Sequence, residues 1–357
     1  MKSDFIIVDH SKFLGGGQKS LLEFVNYDLP FEIEFLIHNS NKHLIKNIQK
    51  KKKVQTFKNY FHLGYLIFKK REIRNFYANT FGTAFVLSLF SYIFKLKIIF
   101  RARLAIQELS HGIVDKIILK RAKIIICNSE YVKNGFINLD SDSINYSKKL
   151  HTIYNYIDAG SKINKEKFHS QLDSENATFI VIGSYDKNKN HELLIDGING
   201  LDNIFIDCFG NITDQVNYQR LKQLVSKNSL KISMNGFTDL KSINWSKYHA
   251  LINTSKSEAL NRSIVEAMQK GIPVIASNIP GNILLVGKNE ERGLLFDLDN
   301  PSSLKETITR FLQENKNHRE KRIELAKDFA ITTFDRNNTT LQEIECIRSI
   351  FWNEQSN

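Results

Sequence analysis

The sequence predicts an α/β protein built of two doubly wound domains. Three observations carry that expectation. At 357 residues the chain has the length of two domains. In each half, short apolar runs of strand length alternate with helix-period patterns, as in βα units on a parallel sheet. Between the halves, residues 159–176 are polar and rich in Lys and Ser, and read as a linker. Apolar residues make up 42% of the chain, enough for a sizeable core in each half. The cysteines, Cys127, Cys208 and Cys346, are far apart and odd in number. That argues against a disulfide framework or a zinc site and for a reducing compartment.

In the first half, Phe5 to Val8 reads as a buried strand, and Asp9 to Leu14 as a loop leading into Gly15-Gly16-Gly17-Gln18. A glycine turn between first strand and first helix lets the backbone approach a ligand, or simply makes a tight turn. It is not Gly-x-Gly-x-x-Gly, so no dinucleotide fingerprint is expected. Ile33 to Ile37 is the second strand. From Asn41 to Arg74 there are nine Lys and two Arg against one Glu, Lys50 to Lys53 being consecutive, in a chain of net charge +12. Residues 42–74 are either a solvated basic face or a surface drawn to an anionic membrane or acidic lipid-linked acceptor. No nucleic-acid-binding motif accompanies the charge, so nucleic acid is not an expected partner. Ile73 to Asn79 is a strand. Residues 81–94 are the most apolar stretch, but Lys95 and Lys97 close it short of the ~20 residues of a membrane span, so a buried helix is expected. The opening apolar run is too short for a signal peptide. Lys97 to Arg101 is a strand, with Arg103 just beyond and His111 eight residues later. Lys123 to Asn128 is another, followed by a helix capped by Ser129.

In the second half, the strand Thr178 to Ile182 ends at Gly183, and Lys189 follows six residues later, before a helix. A lysine there can place a point charge on a diphosphate, or be one surface lysine among several. Ile204 to Phe209 and Ile232 to Met234 are strands, the latter leading to Asn235-Gly236-Phe237. Tyr218 to Val225 is a helix, and Leu240 to Tyr248 a short one. Leu251 and Ile252 close the next apolar run. Ile264, Val265 and Met268 give the following helix an apolar face, and Gly271 stops it. Pro273 to Ala276 is a buried parallel strand. Glu258 lies in the loop before this helix, and Glu266 lies inside it. Ligands of doubly wound sheets bind where strand ends meet helices, and free amides at a helix N-terminus attract phosphate. A carboxylate one or two turns in can accept two hydrogen bonds from a diol such as ribose, while one in the loop can meet a sugar attached to the phosphate. The alternative is two solvated glutamates. Gly281 begins a loop, Gly293 to Phe296 is a last strand, and Pro301 to Gln313 is helical. Leu341, Ile344, Ile347, Ile350 and Phe351 mark a final helix.

The string Ser255-Lys-Ser-Glu258, Glu266-Ala-Met, Gly271-Ile-Pro-Val-Ile-Ala-Ser277 resembles the donor-binding motif of retaining glycosyltransferases of family 4. That resemblance implies a GT-B fold, two doubly wound Rossmann-like domains facing across a cleft. Residues 1–165 would form the acceptor-side domain, with a C-terminal helix in 335–357 packing back on it, and residues 166–334 the nucleotide-sugar domain. By the same resemblance Glu258, the catalytic carboxylate, meets the donor sugar's hydroxyls. Glu266 holds the ribose, the amides of Ala259, Leu260 and Asn261 meet the diphosphate, and Gly236 lies beside the base. Gly183 to Lys189 resembles the family's Gly-Arg-x(4)-Lys diphosphate grip, with Ser184 where the arginine is usual. Gly16 and Gly17 resemble a Gly-Gly-Ala-Glu loop that faces donor phosphate or acceptor, with Gln18 in place of the glutamate. Where the family often places a histidine on the transferred sugar, this chain has Arg101, Arg103 and His111. No metal or other cofactor is implied; the nucleotide-diphosphate sugar is a substrate, and its leaving diphosphate can take the acceptor's proton. The implied acceptor is a glycan hydroxyl, lipid-linked, in bacterial surface polysaccharide assembly (capsule, O-antigen or exopolysaccharide), at the inner face of the cytoplasmic membrane. The rival readings are a nucleotide-sugar epimerase of the same fold and a catalytically inactive, glycosyltransferase-like partner subunit.

Overall fold

The computed structural model describes residues 3–13, 15–103, 112–139, 143–157, 176–240, 242–300 and 302–351. The chain forms two compact units, Met1–Tyr156 with Arg336–Asn357, and Ile157–Asp335. All but the last residue of the linker expected at 159–176, and the division expected at 165/166, fall outside the described residues, as does His111.

The first unit is a seven-stranded, wholly parallel sheet in the order β3-β2-β1-β4-β5-β6-β7. Its strands are β1 (Phe5–Asp9), β2 (Ile33–His38), β3 (Lys53–Phe57), β4 (Asn75–Ala78), β5 (Lys97–Ala102), β6 (Ile124–Cys127) and β7 (Leu150–Thr152). Its helices are α1 (Gly16–Val25), α2 (Lys42–Gln49), α3 (Tyr60–Lys69), α4 (Phe81–Phe94), α5 (Gly112–Arg121), α6 (Glu130–Ile137) and, from the far end of the chain, α13 (Arg336–Phe351). β1 and β2 are buried along their whole length, because covered parallel strands have no solvent face. Leu21 and Phe24 of α1, Leu44 and Ile48 of α2, and Ile344 and Ile347 of α13 share one core cluster with Phe5, Phe35 and Ile37.

The second unit is a six-stranded parallel sheet in the order β10-β9-β8-β11-β12-β13. These are β8 (Ala177–Ile182), β9 (Ile204–Phe209), β10 (Ile232–Asn235), β11 (Ala250–Asn253), β12 (Val274–Ser277) and β13 (Leu294–Phe296). The helices are α7 (His191–Ile198), α8 (Gln215–Lys227), α9 (Arg262–Lys270), α10 (Pro280–Val286), α11 (Ser303–Leu312) and α12 (Lys316–Thr333). Gly271 closes α9 at φ +76°, a left-handed conformation that a Cβ would strain.

The basic stretch folds into α2, β3 and α3, since its apolar residues recur at core spacing among the lysines. The structure corrects four expectations. Gly16 and Gly17 are the first turn of α1, not a turn before it. Gln18 keeps the capping role, its Oε1 accepting from Gly15 N at 3.1 Å. Among the described residues between Leu240 and Tyr248, only Trp245–Lys247 is helical, as one 3-10 turn. Gly281 lies inside α10, whose first residue is Pro280, a position where proline's missing N–H has no intrahelical partner to lose. The apolar helix α4 is not a buried one: it exposes Leu89, Tyr92 and Ile93. Among the described residues no helix is long and apolar enough to cross a membrane.

Candidate donor-sugar site

In the second unit the strand order reverses between β8 and β11. The connections leaving those two strands run to opposite faces of the sheet, which opens a crevice at their carboxyl ends. The candidate residues lie on these two connections. Gly183 and Ser184 follow β8, and Lys189 precedes α7; Glu258 and Ala259 to Asn261 lie between β11 and α9.

The two loops are tied to each other by backbone and side chain. Asn188 carboxamide donates to Ser257 O at 3.0 Å and accepts from Ser257 N at 3.1 Å. Asn188 O accepts from Lys256 N at 2.8 Å, and Thr254 Oγ1 donates to Lys189 O at 2.7 Å. Asp186 shapes the turn, its Oδ1 accepting from the amides of Asn188 and Lys189 at 2.9 and 3.1 Å while its Oδ2 accepts from Ser184 Oγ. Ser184, standing where a cation was the implied residue, is thus a turn-forming hydroxyl. Above this staple Lys189 Nζ and Glu258 Oε1 form a direct ion pair. Sequence spacing could not give this contact, because 69 residues separate its members.

Under the Glu258 loop lies a buried polar network. Asn282 donates to Asn253 Oδ1 at 3.0 Å, Ser277 O at 3.1 Å and Ser277 Oγ at 3.0 Å, and Ser277 Oγ donates to Ser255 O at 2.6 Å. Asn253 and Asn282 carry no signal of their own in the sequence, since each reads as an ordinary polar residue at a strand or helix end, and Ser277 is marked only as the last residue of the string quoted above. Buried satisfied networks of this kind fix one loop conformation. Gly281 is required for close approach: a Cβ there would fall 1.9 Å from the carbonyl oxygen of Glu258. The Gly281→Ala variant is expected to lose about 10²-fold in turnover, the scale of a 1 Å displacement of a reacting group. Steady-state kinetics at saturating and limiting donor would check it, and a loss under threefold would count against the placement of Glu258.

α9 begins with Arg262. Its N-cap, Asn261, is buried and does not cap the helix with its side chain; it accepts from Ser263 Oγ at 2.8 Å instead. Glu266 lies one turn in, 3.8 Å from Arg262 Nη2. Ala259 and Leu260 are buried, so their side chains anchor the loop while their amides stay beside the helix N-terminus. Gly236, after β10, is exposed with open space around it, and its carbonyl accepts from Gly210 N at 3.3 Å.

His191, the first residue of α7, is buried, packs tilted against the Tyr185 ring with centroids 5.0 Å apart, and among the described residues neither ring nitrogen has a hydrogen-bond partner. Burial, opposed by Asp186 and aided by Lys189, pushes its pKa down to about 4. The fold therefore holds a neutral imidazole, which the unfolded chain protonates below about 6.5. Stability present above pH 6.5 is lost as pH falls towards 4. Thermal melts across that window are expected to show a falling midpoint, and His191→Phe to flatten the fall. An unchanged slope in the variant would remove His191 from the account.

In the first unit the sheet order reverses between β1 and β4. Asp9, at the end of β1, accepts from Gln18 Nε2 at 3.0 Å, Asn79 Nδ2 at 2.5 Å and Ser11 N at 2.7 Å. Arg103 donates to Asn79 Oδ1 at 2.6 Å, and its stem lies 3.2 Å from where a Cβ on Gly17 would stand. Gly17 thus admits Arg103 beneath the start of α1, while Gly16 is exposed. Arg101 is deeply buried: it donates to Asn155 Oδ1 at 2.9 Å and lies 3.7 Å from Glu343 of α13, which accepts from Tyr77 Oη at 2.5 Å. Arg101 is therefore a structural charge of the interior, and Arg103 is the member of the pair beside the glycines.

Residues 162–329 match the family model described as glycosyl transferases group 1. The match lies within the second unit. Among curated proteins, the chain is 27% identical over 220 residues to the O-antigen biosynthesis glycosyltransferase WclY of Escherichia coli, covering 58% of this chain and 60% of that protein. It is 29% identical over 224 residues to the O-antigen chain mannosyltransferase RfbU of Salmonella typhimurium, covering 58% of each. The chain thus spans about three-fifths of the length of these two relatives. Among solved structures, HepE of Anabaena in complex with UDP and glucose superposes with a TM-score of 0.81 at 20% identity, covering 98% of this chain and all of that one. Sucrose-phosphate synthase from Thermosynechococcus elongatus superposes at 0.76 with 15% identity, covering 98% and 99%. The fold is GT-B.

Proposed function

We propose that this chain is a retaining glycosyltransferase of family 4. It moves a sugar from a nucleotide-diphosphate donor to a hydroxyl of a glycan, lipid-linked, during assembly of a bacterial surface polysaccharide (O-antigen, capsule or exopolysaccharide). The observation that carries this reading is the Lys189–Glu258 pair held at the strand-order reversal of the second unit, directly before the N-terminus of α9. In that arrangement Lys189 and the amides of Ala259 to Asn261 meet the donor diphosphate, which keeps a preorganised positive field on the group that gains charge as the glycosidic bond breaks. Glu258 meets the sugar hydroxyls. Glu266, one turn into α9, takes the ribose diol. Charge neutralisation on the diphosphate then needs no metal, and the leaving diphosphate accepts the acceptor's proton.

Two likenesses support the substrate class. HepE was solved in complex with UDP and glucose, and the two relatives are named as an O-antigen biosynthesis glycosyltransferase and an O-antigen chain mannosyltransferase. A lipid-linked acceptor places the work at the inner face of the cytoplasmic membrane, with the basic residues 42–74 giving peripheral attraction to anionic lipid.

The test is slow donor hydrolysis by the purified chain across UDP-, GDP- and TDP-sugars, with Glu266→Ala alongside. One nucleotide is expected to be released, and the variant to bind that donor about 10²-fold more weakly, the loss of two hydrogen bonds to a charged group. Absence of both binding and release for every donor would instead favour the inactive partner subunit.

A further inference from the structure

We infer that the outer face shared by α3 and α4 in the first unit is a docking surface for an anionic lipid bilayer. The two helices lie side by side: Phe68 and Phe94 meet edge to face at 5.9 Å, and Phe90 packs so closely on Gly64 that a Cβ there would fall 2.8 Å from its ring. Away from the sheet they present large apolar side chains to solvent. Phe61 is 92% exposed and Ile93 72%, and Tyr65, Phe68, Leu89 and Tyr92 join them. On α3 these residues stand at i, i+4 and i+7, so they form one stripe. Such a contiguous apolar patch marks an interaction surface rather than the scattered exposure of a monomer.

Its chemistry selects a lipid occupant over a protein one. Residues 58–97 hold seven Lys and Arg against one Glu. The cations are woven among the rings: Lys69 Nζ lies 4.9 Å over Tyr65, the Arg71 guanidinium 4.7 Å over Phe68 and that of Arg121 4.1 Å over Tyr92. Aromatic and aliphatic side chains reach the boundary of headgroups and acyl chains, while Lys and Arg at that depth pair with lipid phosphate. The Lys50–Lys53 run is different. It follows α2, whose outward residues are polar, so it offers charge with no apolar insertion. Stable peripheral anchoring takes both signals, and the α3–α4 face supplies them together where the Lys50–Lys53 run does not.

This deepens the lipid-linked acceptor of the proposed function, but its test reads binding without turnover. The full chain is sedimented with phosphatidylcholine vesicles, with and without phosphatidylglycerol. Binding is expected to the anionic vesicles, with the partition coefficient falling roughly tenfold or more in the triple variant Phe61→Ser, Tyr65→Ser, Ile93→Ser. The variant Lys50→Gln, Lys52→Gln is expected to keep most of it. Lys50, Phe61, Tyr65 and Ile93 are exposed and Lys52 is half-buried, and unchanged thermal midpoints would confirm intact folds. Three results would overturn the inference: no binding by the parent chain, equal binding by the triple variant, or a concentration-dependent dimer that the triple variant dissolves, which would assign the face to a second copy. Donor hydrolysis is expected to be unchanged in the triple variant, so failure of the lipid surface and failure of the transferase reading give different results.

Discussion

Lys189→Ala is expected to lower kcat/KM for nucleotide-sugar turnover by about 10²–10³-fold, the scale of removing one preorganised donor from a developing oxyanion. Two effects combine. The donor diphosphate loses a point charge at the end of the β8–α7 connection, and Glu258, whose side chain is 14% exposed, loses its ion-pair partner. An uncompensated carboxylate in that position repels the same diphosphate. The loss is expected mainly in kcat, because charge on the leaving group is largest in the transition state. Lys189→Arg is expected to restore little. Gly183 packs against the lysine stem, with the site of a Cβ only 3.0 Å from Lys189 Cδ, and a planar guanidinium needs a different approach to phosphate. Steady-state kinetics with the donor named by the hydrolysis panel would check this, and a change under threefold would refute the role of Lys189.

The second large effect is on stability. Glu343→Ala is expected to destabilise the first unit by about 3–5 kcal/mol, the cost of breaking a buried charged pair from one side. The substitution removes the carboxylate that accepts from Tyr77 and faces Arg101, whose Nε and Nη1 already lack hydrogen-bond partners among the described residues. It also cuts a polar link from α13 to the sheet. Burial and the Glu343 carboxylate hold the Tyr77 phenol well above its ordinary pKa, so it donates throughout the physiological range. The stability tied to that proton is present below about pH 10 and is lost only above it. Glu343→Gln, which keeps an acceptor for Tyr77, is expected to lose distinctly less. Urea titration followed by far-ultraviolet circular dichroism would measure both, and a loss under 1 kcal/mol in Glu343→Ala would sink the argument.

Much of the fold was legible in the sequence because strands of a covered parallel sheet write themselves as short, mostly apolar runs. Phe5–Asp9, Ile204–Phe209 and Val274–Ser277 were each expected within a residue or two. The α9 segment was legible for a different reason: a glycine stop, an apolar face and two glutamates all fall within one short stretch. Elements written in polar residues were missed. α2 and α3 were hidden by a lysine-rich surface, and α12 by a weakly patterned run in which few residues, among them Arg319, Ala326 and Ala330, are buried.

The sequence by itself determined which residue types stand at the ends of which strands: Gly183 and Lys189 around the β8–α7 connection, Glu258 and Glu266 around α9, two glycines opening α1. Local order along a chain suffices for that, since strand, loop and helix each bind their signals within about ten residues. Only the tertiary structure decided which of them meet. Parallel pairing of β8 with β11 brings Lys189 to Glu258 across 69 residues, and the return of α13 brings Glu343 to Tyr77 across 266. It also divided the two arginines, sending Arg101 into the interior and Arg103 beneath Gly17. It turned one side of the apolar stretch 81–94 outward, with Leu89, Tyr92 and Ile93 exposed while Ala84 and Leu87 are buried, because one helix in a layer can bury only the side that faces its sheet.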